Sequence, residues 1–415
     1  MTTSATSPAL RTGTAAGQSP FIGLEPYGEE DAPFFFGRER ETRLITANLR
    51  GAPLTVLYGA SGVGKSSALQ AGVVHELRQR VKANAARDDR RFAEAAGASV
   101  PFAIAYFNLW RDESPLERLM ERVRAAASEA LGGAEIPQWP AGSSVSEALS
   151  LWNESVRSLM VVLDQFEEYF LYHPEEQGDG TFATEFPRIV NDRMLRVQVL
   201  LSIREDAVTK LDRFKEEVPA VLANRLKLGY LDREAARRAI EGPIDVYNEL
   251  AGDEAPRVSI EPTLIEAVLD GVKTGAGSVA DAEAEPDEPS HSVASGSEHI
   301  ETPFMQLVMD RLWEAMREDG SSELTEEMLS RLGGPQQIVR SHLERVMSEL
   351  SEEEQAIAAD AFRFLVTSDR TKVAQSASDI AFWTKRPEED VISVLDHLSS
   401  GRRGRILRPL APPHG

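Results

Sequence analysis

Short, nearly uninterrupted apolar runs set the frame of the first half of the chain. They are Leu54-Thr55-Val56-Leu57-Tyr58, residues 102–107, Leu159–Leu163 and residues 197–203, with a briefer one at 225–228. Strands this apolar have no polar face to give to solvent, so they belong in a parallel sheet covered on both sides. Helical periodicity fills the spaces between them. Leu44, Ile45 and Leu49 mark one side of a helix over 39–50, and further helices are expected at 65–80, 115–131, 145–156 and from Asp232 onward. Strands alternating with helices predict an α/β fold, a parallel sheet sandwiched by helices.

Beyond Pro243 the pattern becomes all-helical. Phe304, Leu307, Val308, Leu312 and Met316 define one broad apolar face, and residues 343–365 supply at least two more helices. Residues 376–407 read as helix, helix and a basic hairpin-like end. Pro387 starts the second helix, and Val391, Val394, Leu395 and Leu398 stand at helical spacing along it. That order suits a winged-helix element. Two stretches lack the apolar residues to fold: Ser/Thr/Ala-rich residues 1–19, and residues 274–298, where Asp281, Glu283, Glu285, Asp287 and Glu288 crowd among Gly, Ser and Ala. Residues 20–36 mix aromatics, prolines and acids and read as packed but irregular. The expected division is a disordered 1–19, a P-loop domain over 20–245, a helical lid over 246–335 carrying the acidic insertion 274–298, and a winged-helix-like 336–415. No internal repeat is evident.

Composition narrows the chemistry. A 415-residue chain with 42% apolar residues fits two or three soluble domains. Cysteine is absent, which removes disulfides and thiolate metal sites, and the seven histidines show no zinc spacing. The N-terminus lacks the apolar stretch of a signal peptide, and no apolar run approaches the ~20 residues that span a bilayer. A soluble, cytoplasmic protein is expected. The net charge of −22, from 45 basic and 67 acidic residues, repels nucleic acid and anionic membranes in bulk.

The most specific chemistry follows the first apolar run. Gly59-Ala60-Ser61-Gly62-Val63-Gly64-Lys65-Ser66 is the phosphate-binding pattern G-x-x-x-x-G-K-[ST], with a strand leading in and a helix leading out. The glycines let backbone N–H groups turn toward phosphate oxygens, and the helix beginning at Lys65 adds the positive end of its dipole. Lys65 is placed to reach the β and γ phosphates of ATP, or the β phosphate of ADP, and the Ser66 hydroxyl to ligate Mg²⁺, with Ser67 beside them.

Such a loop needs an acid at the end of a neighbouring apolar strand to complete the Mg²⁺ site. Asp164, closing Leu159–Leu163, is of the right type and in the right place. The chain continues Gln165-Phe166-Glu167-Glu168, so Gln165, Glu167 and Glu168 are all candidates for positioning an attacking water. Arg204 ends the next apolar run. There it can sense a γ-phosphate at the carboxyl edge of the sheet, or simply pair with Glu205, Asp206 or Asp164.

These pieces, in this order, resemble the STAND class of signalling P-loop ATPases, and most closely the novel STAND NTPases found as modules in large bacterial proteins. The resemblance covers residues 20–410. Phe34-Phe35-Phe36-Gly37-Arg38-Glu39-Arg40-Glu41 looks like the family's upstream Gly-Arg box, which implies that Gly37 and Arg38 help hold the nucleotide. Leu163-Asp164-Gln165-Phe166-Glu167-Glu168 looks like its Walker B, and Ser202-Ile203-Arg204-Glu205-Asp206 like its sensor strand. Pro303-Phe304-Met305-Gln306-Leu307 with Leu312-Trp313 is similar to its lid helix. There the resemblance carries over Pro303, although the usual Gly-x-Pro reads Glu301-Thr302-Pro303 here. The wider class has a second acid where this chain has Gln165. The resemblance implies a switch: ADP holds a closed state, and exchange to ATP opens it for self-assembly and release of an effector. No effector enzyme or sensor array is visible, so those partner functions are expected elsewhere.

Two other readings remain open on sequence. One is a DNA-directed P-loop ATPase that uses Arg402, Arg403, Arg405 and Arg408 as a basic wing, against the acidic Glu388-Glu389-Asp390 at the start of the would-be recognition helix. The other is a non-hydrolysing scaffold that needs its nucleotide only to fold.

Overall fold

A computed structural model describes residues 19–91, 102–140, 142–252, 256–273, 299–366, 375–399 and 406–407. Of the stretches expected to be disordered, 1–19 and 274–298, all but Ser19 lie outside the described residues, as do the four arginines of the basic end. The described chain forms two compact units. One holds residues 27–230; the other combines residues 19–26 with those from 231 onward. The boundary placed at 245 lies within the helix Arg233–Ala251.

In the first unit the apolar runs become five strands: β1 (Leu54–Gly59), β2 (Ala103–Phe107), β3 (Leu159–Leu163), β4 (Val197–Arg204) and β5 (Arg225–Lys227). They lie in the order β2-β3-β4-β1-β5, and every pairing is parallel. β3 is buried along its whole length, as its lack of polar residues requires. On one face Leu57, Ile104, Met160, Val162 and Leu200 pack with Ile45 and Leu49 of the helix Glu39–Gly51 and with Leu69, Val73 and Leu77 after the P-loop.

The helix leaving the P-loop runs in three continuous segments: Lys65–Ser67, a π-helical stretch Ala68–Val74, and His75–Arg91, well past the expected end near residue 80. A π turn admits one extra residue, a cost that is common next to functional sites. Gly72 stands in it against the helix Glu39–Gly51, where a Cβ would lie only 2.6 Å from Thr42 Oγ1.

Parallel pairing brings the carboxyl ends of the strands to one edge, and the register decides which residues meet there. Gly59 lies opposite Arg204, and Leu163 opposite Leu201, which sets Asp164 beside Ser202. Beyond β2 and β3 an aromatic cluster closes around Trp110. Its ring meets Phe107, Phe166, Tyr169 and Phe182 edge-on, at centroid distances of 4.9, 5.1, 5.6 and 5.3 Å.

The second unit is mainly helical. Helices Arg233–Ala251, Pro262–Gly271, Thr302–Glu318, Glu326–Arg331 and Gly334–Ser348 share a core that includes Ile240, Leu264, Leu269, Val308, Leu312 and Trp313. Asp232 caps the first of them through the Ala235 N–H, as its position before a helical run suggests. The region also contains a short parallel pair, Ser259–Ile260 with Glu323–Leu324. On Thr302–Glu318 the buried stripe runs through Met305, Val308, Met309, Leu312, Trp313 and Met316, while Phe304 is exposed. Of the expected face, Leu307, Val308, Leu312 and Met316 are all buried, and Phe304 alone is not. Phe304 sits in the first turn, where less of the core remains to cover it.

A separate small core joins the helices Glu352–Leu365, Ala377–Thr384 and Glu388–Ser399 through Ile357, Ala361, Ile380, Val391, Val394 and Leu398. Ile406 and Leu407 both donate backbone N–H bonds to the Leu398 carbonyl, at 2.9 Å each. The two expected helices of the winged-helix pattern are formed; the hairpin-like segment between them and Ile406 lies outside the described residues.

Gly59 is where the sheet tolerates no side chain. A Cβ there would lie 2.3 Å from the Leu228 carbonyl oxygen, a backbone atom that can move only by displacing the chain after β5. Gly59→Ala is therefore expected to destabilise the fold by about 1–3 kcal/mol. Gly133→Ala, whose Cβ meets open space at φ +89°, pays only backbone strain of about 1–2 kcal/mol. Urea unfolding of both variants, compared with the parent, checks the order.

Candidate functional site

The P-loop is held from outside as well as by its own turns. Gly62 and Gly64 have φ of 82° and 88°, values that only glycine adopts without strain. Ser61 and Gly62 form the exposed tip, Ala60 is half-buried, and Val63 turns inward into the core. Arg38, 4% exposed, reaches across with one guanidinium nitrogen donating to the Val63 carbonyl (2.9 Å) and the Gly229 carbonyl (2.8 Å). Its other terminal nitrogen pairs with Glu41 at 2.9 Å. Arg38 thereby ties the loop to the chain after β5, and Gly37, at φ 87°, makes the turn that delivers it.

Lys65 folds back over its own loop, donating to the Gly59 and Ala60 carbonyls at 2.8 and 3.0 Å. Burial pushes its ammonium below the ordinary value of 10.5. The Glu167 and Asp164 carboxylates oppose that shift, and the Arg204 guanidinium adds to it. Four of the residues singled out in sequence, Lys65, Asp164, Glu167 and Arg204, are therefore close enough for their charges to act on one another. Ser66 is half-buried in the first helical turn. Ser67 is buried, and its hydroxyl accepts the Tyr27 N–H at 3.1 Å, a bond that anchors the segment before the Gly-Arg box.

Asp164 is 1% exposed, and each of its polar atoms is engaged. Its N–H donates to the Phe107 carbonyl (2.9 Å), and its carbonyl accepts from Trp110 Nε1 (2.7 Å). Oδ1 accepts the Gln165 N–H (2.9 Å), and Oδ2 accepts the Tyr106 hydroxyl (2.7 Å). Gln165 adopts φ 57°, left-handed for a non-glycine residue, so the chain turns sharply straight after the acid.

The three candidates for positioning water separate. Glu167 Oε2 accepts the Arg204 N–H at 3.2 Å, which joins the end of β3 to the end of β4. Glu168 is buried, one residue further into the helix Glu167–Tyr172, and Gln165 is half-buried at the turn. Arg204 itself is chelated by Asp206: Nε donates to Oδ1 at 3.0 Å and Nη2 to Oδ2 at 2.5 Å. With side chains 43% and 62% exposed this pair is weak. Pro303 occupies the first turn of Thr302–Glu318, in the second unit.

The donor set suits Mg²⁺. A serine hydroxyl and one carboxylate are hard oxygen ligands, too few to cage a metal but sufficient for an ion that keeps its waters and leans on nucleotide phosphates. Among the described residues no group of three or more His, Cys, Asp or Glu side chains could hold a metal alone. Ser202, completely buried in register beside Asp164, has a hydroxyl with no hydrogen-bond partner, the kind of orphan that ordered water satisfies.

The sequence model described as Novel STAND NTPase 1 matches residues 20–407. The chain belongs to this family. Solved structures similar to this STAND NTPase in overall course include the Orc1 protein of Aeropyrum pernix in complex with DNA, at 16% identity over 88% of this chain and 83% of that one, with a TM-score of 0.44. The ADP form of Orc2 from the same organism matches at 14% identity over 87% and 84%, with a TM-score of 0.43. The Walker-type ATPase paby2304 of Pyrococcus abyssi matches at 15% identity over 94% and 95%, with a TM-score of 0.41. No curated protein matches the chain. No described helix of this STAND NTPase is long and apolar enough to cross a membrane.

Reading the sequence missed Tyr106, Trp110, Gln70 and Ser202. Strand register carries Tyr106 and Ser202 to Asp164, the chain after β2 brings Trp110 over it, and Gln70 joins through Tyr106 from the P-loop helix.

The lowered Lys65 value predicts a pH dependence. Phosphate charges favour the ammonium, so triphosphate affinity holds at neutral pH and falls as the pH rises through the lowered value, before 10.5 is reached. Folding stability has the opposite sign there. The unfolded chain keeps its proton up to about 10.5 while the folded one releases it earlier, so this residue's contribution rises with pH across that window. Nucleotide titrations from pH 7 to 10.5 check the first effect; an affinity that stays flat throughout contradicts it.

Proposed function

We propose that this member of the family is an ATP-binding, slowly hydrolysing switch, working in the cytoplasm, whose ADP or ATP state controls opening and self-association. The observation that carries the reading is the gathering of Lys65, Asp164, Glu167 and Arg204 at the carboxyl edge of β1, β3 and β4, against a loop braced by Arg38. In this reading the P-loop amides from residues 60–66 and Lys65 hold the β and γ phosphates. Ser66 and Asp164 hold Mg²⁺, which neutralises phosphate charge when bound. Gly37 and Arg38 shape the nucleotide's seat.

Glu167 is the best-supported residue for positioning an attacking water, because its carboxylate acts on Lys65 and also meets the sensor strand. Glu168 is buried, and Gln165 makes the left-handed turn. Arg204, released from Asp206 by a γ-phosphate, gives ATP a contact that ADP lacks. A nucleotide can bias two states only through such a difference in affinity. The proposed division of labour keeps residues 20–245 as the nucleotide domain, 246–335 as lid with Pro303 on its helix, and 336–415 as a winged-helix-like module. Glu388, Glu389 and Asp390 are all exposed at the start of the helix Glu388–Ser399, which disfavours DNA as the partner of that module.

Lys65→Ala is expected to abolish triphosphate binding in a calorimetric titration, since the loop loses its only cation; retained affinity refutes the assignment. Glu167→Gln should spare binding while lowering turnover by about 10²–10⁴-fold. Turnover that falls instead in Glu168→Gln would move the role to that residue.

A further inference from the structure

Asp164 does not choose its orientation alone. A buried carboxylate must be satisfied by donors, and the two that reach its oxygens differ in kind. The Gln165 N–H on Oδ1 is backbone and comes with the turn itself. The Tyr106 hydroxyl on Oδ2, at 2.7 Å, is a side chain sent from another strand. Tyr106 is the penultimate residue of β2, opposite Val162 on β3. Alternation along β3 puts Val162 and Asp164 on the same face, so the phenol lies alongside the acid.

The phenol is itself held. Gln70 Nε2 lies 3.1 Å from the Tyr106 oxygen. An amide nitrogen has only hydrogens to give, so Tyr106 accepts there and its single hydrogen is committed to Asp164. Gln70 stands in the π-helical stretch Ala68–Val74, four residues after Ser66. A line of donors thus runs from the P-loop helix to the strand-end carboxylate: Gln70 amide, Tyr106 hydroxyl, Asp164 Oδ2.

We propose that Tyr106, oriented by Gln70, is a positioning residue that aims the Asp164 carboxylate at the divalent cation of the bound nucleotide. The proposal rests on the reading of Asp164 as a cation ligand. With one lone pair of each carboxylate oxygen occupied by a donor, the remaining pairs keep a fixed direction, and the ligand is set before the metal arrives. Partners of this kind are commonly worth 10- to 100-fold in metal affinity. Because Gln70 belongs to the helix that carries Ser66, the same line keeps the two proposed ligands in step.

The test separates metal binding from nucleotide binding. ADP and ATP affinities are measured with a fluorescent nucleotide, first in EDTA and then across a Mg²⁺ titration, for the parent chain, Tyr106→Phe, Gln70→Leu and Asp164→Asn. Tyr106→Phe should leave affinity in EDTA unchanged and raise the Mg²⁺ concentration for half-maximal effect about tenfold or more. Gln70→Leu, which keeps the phenol but frees its hydroxyl to rotate, should shift it in the same direction by less. That variant carries the test if Tyr106→Phe does not fold. An unchanged Mg²⁺ midpoint in folded Tyr106→Phe, with Asp164→Asn shifted, overturns the proposal alone. An unchanged midpoint in Asp164→Asn overturns the metal assignment beneath it. Equal losses with and without Mg²⁺ in Tyr106→Phe show a purely structural role and also overturn the proposal.

Discussion

A carboxylate at the end of a buried strand has to be solvated by the protein, and much of the first unit is arranged around that demand. Asp164 sits at the end of β3 with almost no exposure. The Gln165 N–H and the Tyr106 hydroxyl donate to its carboxylate, while its backbone carbonyl accepts from Trp110 and its own N–H donates to the Phe107 carbonyl. To supply these bonds, β2 must run parallel beside β3, the chain must turn left-handed at Gln165, and Trp110 must lie over the strand end. The aromatic cluster around Trp110 follows from the last of these. Its rings keep water from the donors, which raises the worth of each bond and the cost of losing one.

The P-loop is built on a different constraint, that backbone amides must face outward while the loop stays rigid. Glycines at positive φ provide the first condition. The buried Arg38 provides the second by clasping the Val63 carbonyl and the chain after β5. The Gly-Arg box is thus a brace between loop and sheet edge. An arginine serves where a lysine would not, because one guanidinium nitrogen meets both carbonyls while the other pairs with Glu41.

Strand existence, strand ends and the P-loop were legible because continuous apolar runs, and glycines at a fixed spacing, are local signals. The helix Glu388–Ser399 was equally plain, since Val391, Val394 and Leu398 fall on one stripe and are all buried. What stayed hidden depends on register or on local strain. Tyr106 looks like one more residue of an apolar strand until β2 is set against β3. The π turn of Ala68–Val74, where Gly72 packs closely on Thr42, is announced by no periodicity. Phe304 fits the apolar face by spacing, yet at a helix start spacing says little about depth. Gln165, Glu167 and Glu168 look interchangeable in sequence; their separation into a turn residue, a strand-bridging Glu167 and a buried Glu168 needs the fold.

Nucleotide chemistry at this site becomes a signal only if ATP and ADP favour different states of the whole chain. In the switch we propose, Arg204, paired weakly with Asp206 across an exposed surface, is the group that would distinguish the two, through competition of a γ-phosphate for its guanidinium. The most direct measurement is the mass and nucleotide content of the purified protein before and after exchange into ATP with Mg²⁺. The switch account predicts an ADP-loaded monomer that passes to a defined oligomer with ATP. A mass that is the same with either nucleotide would contradict it.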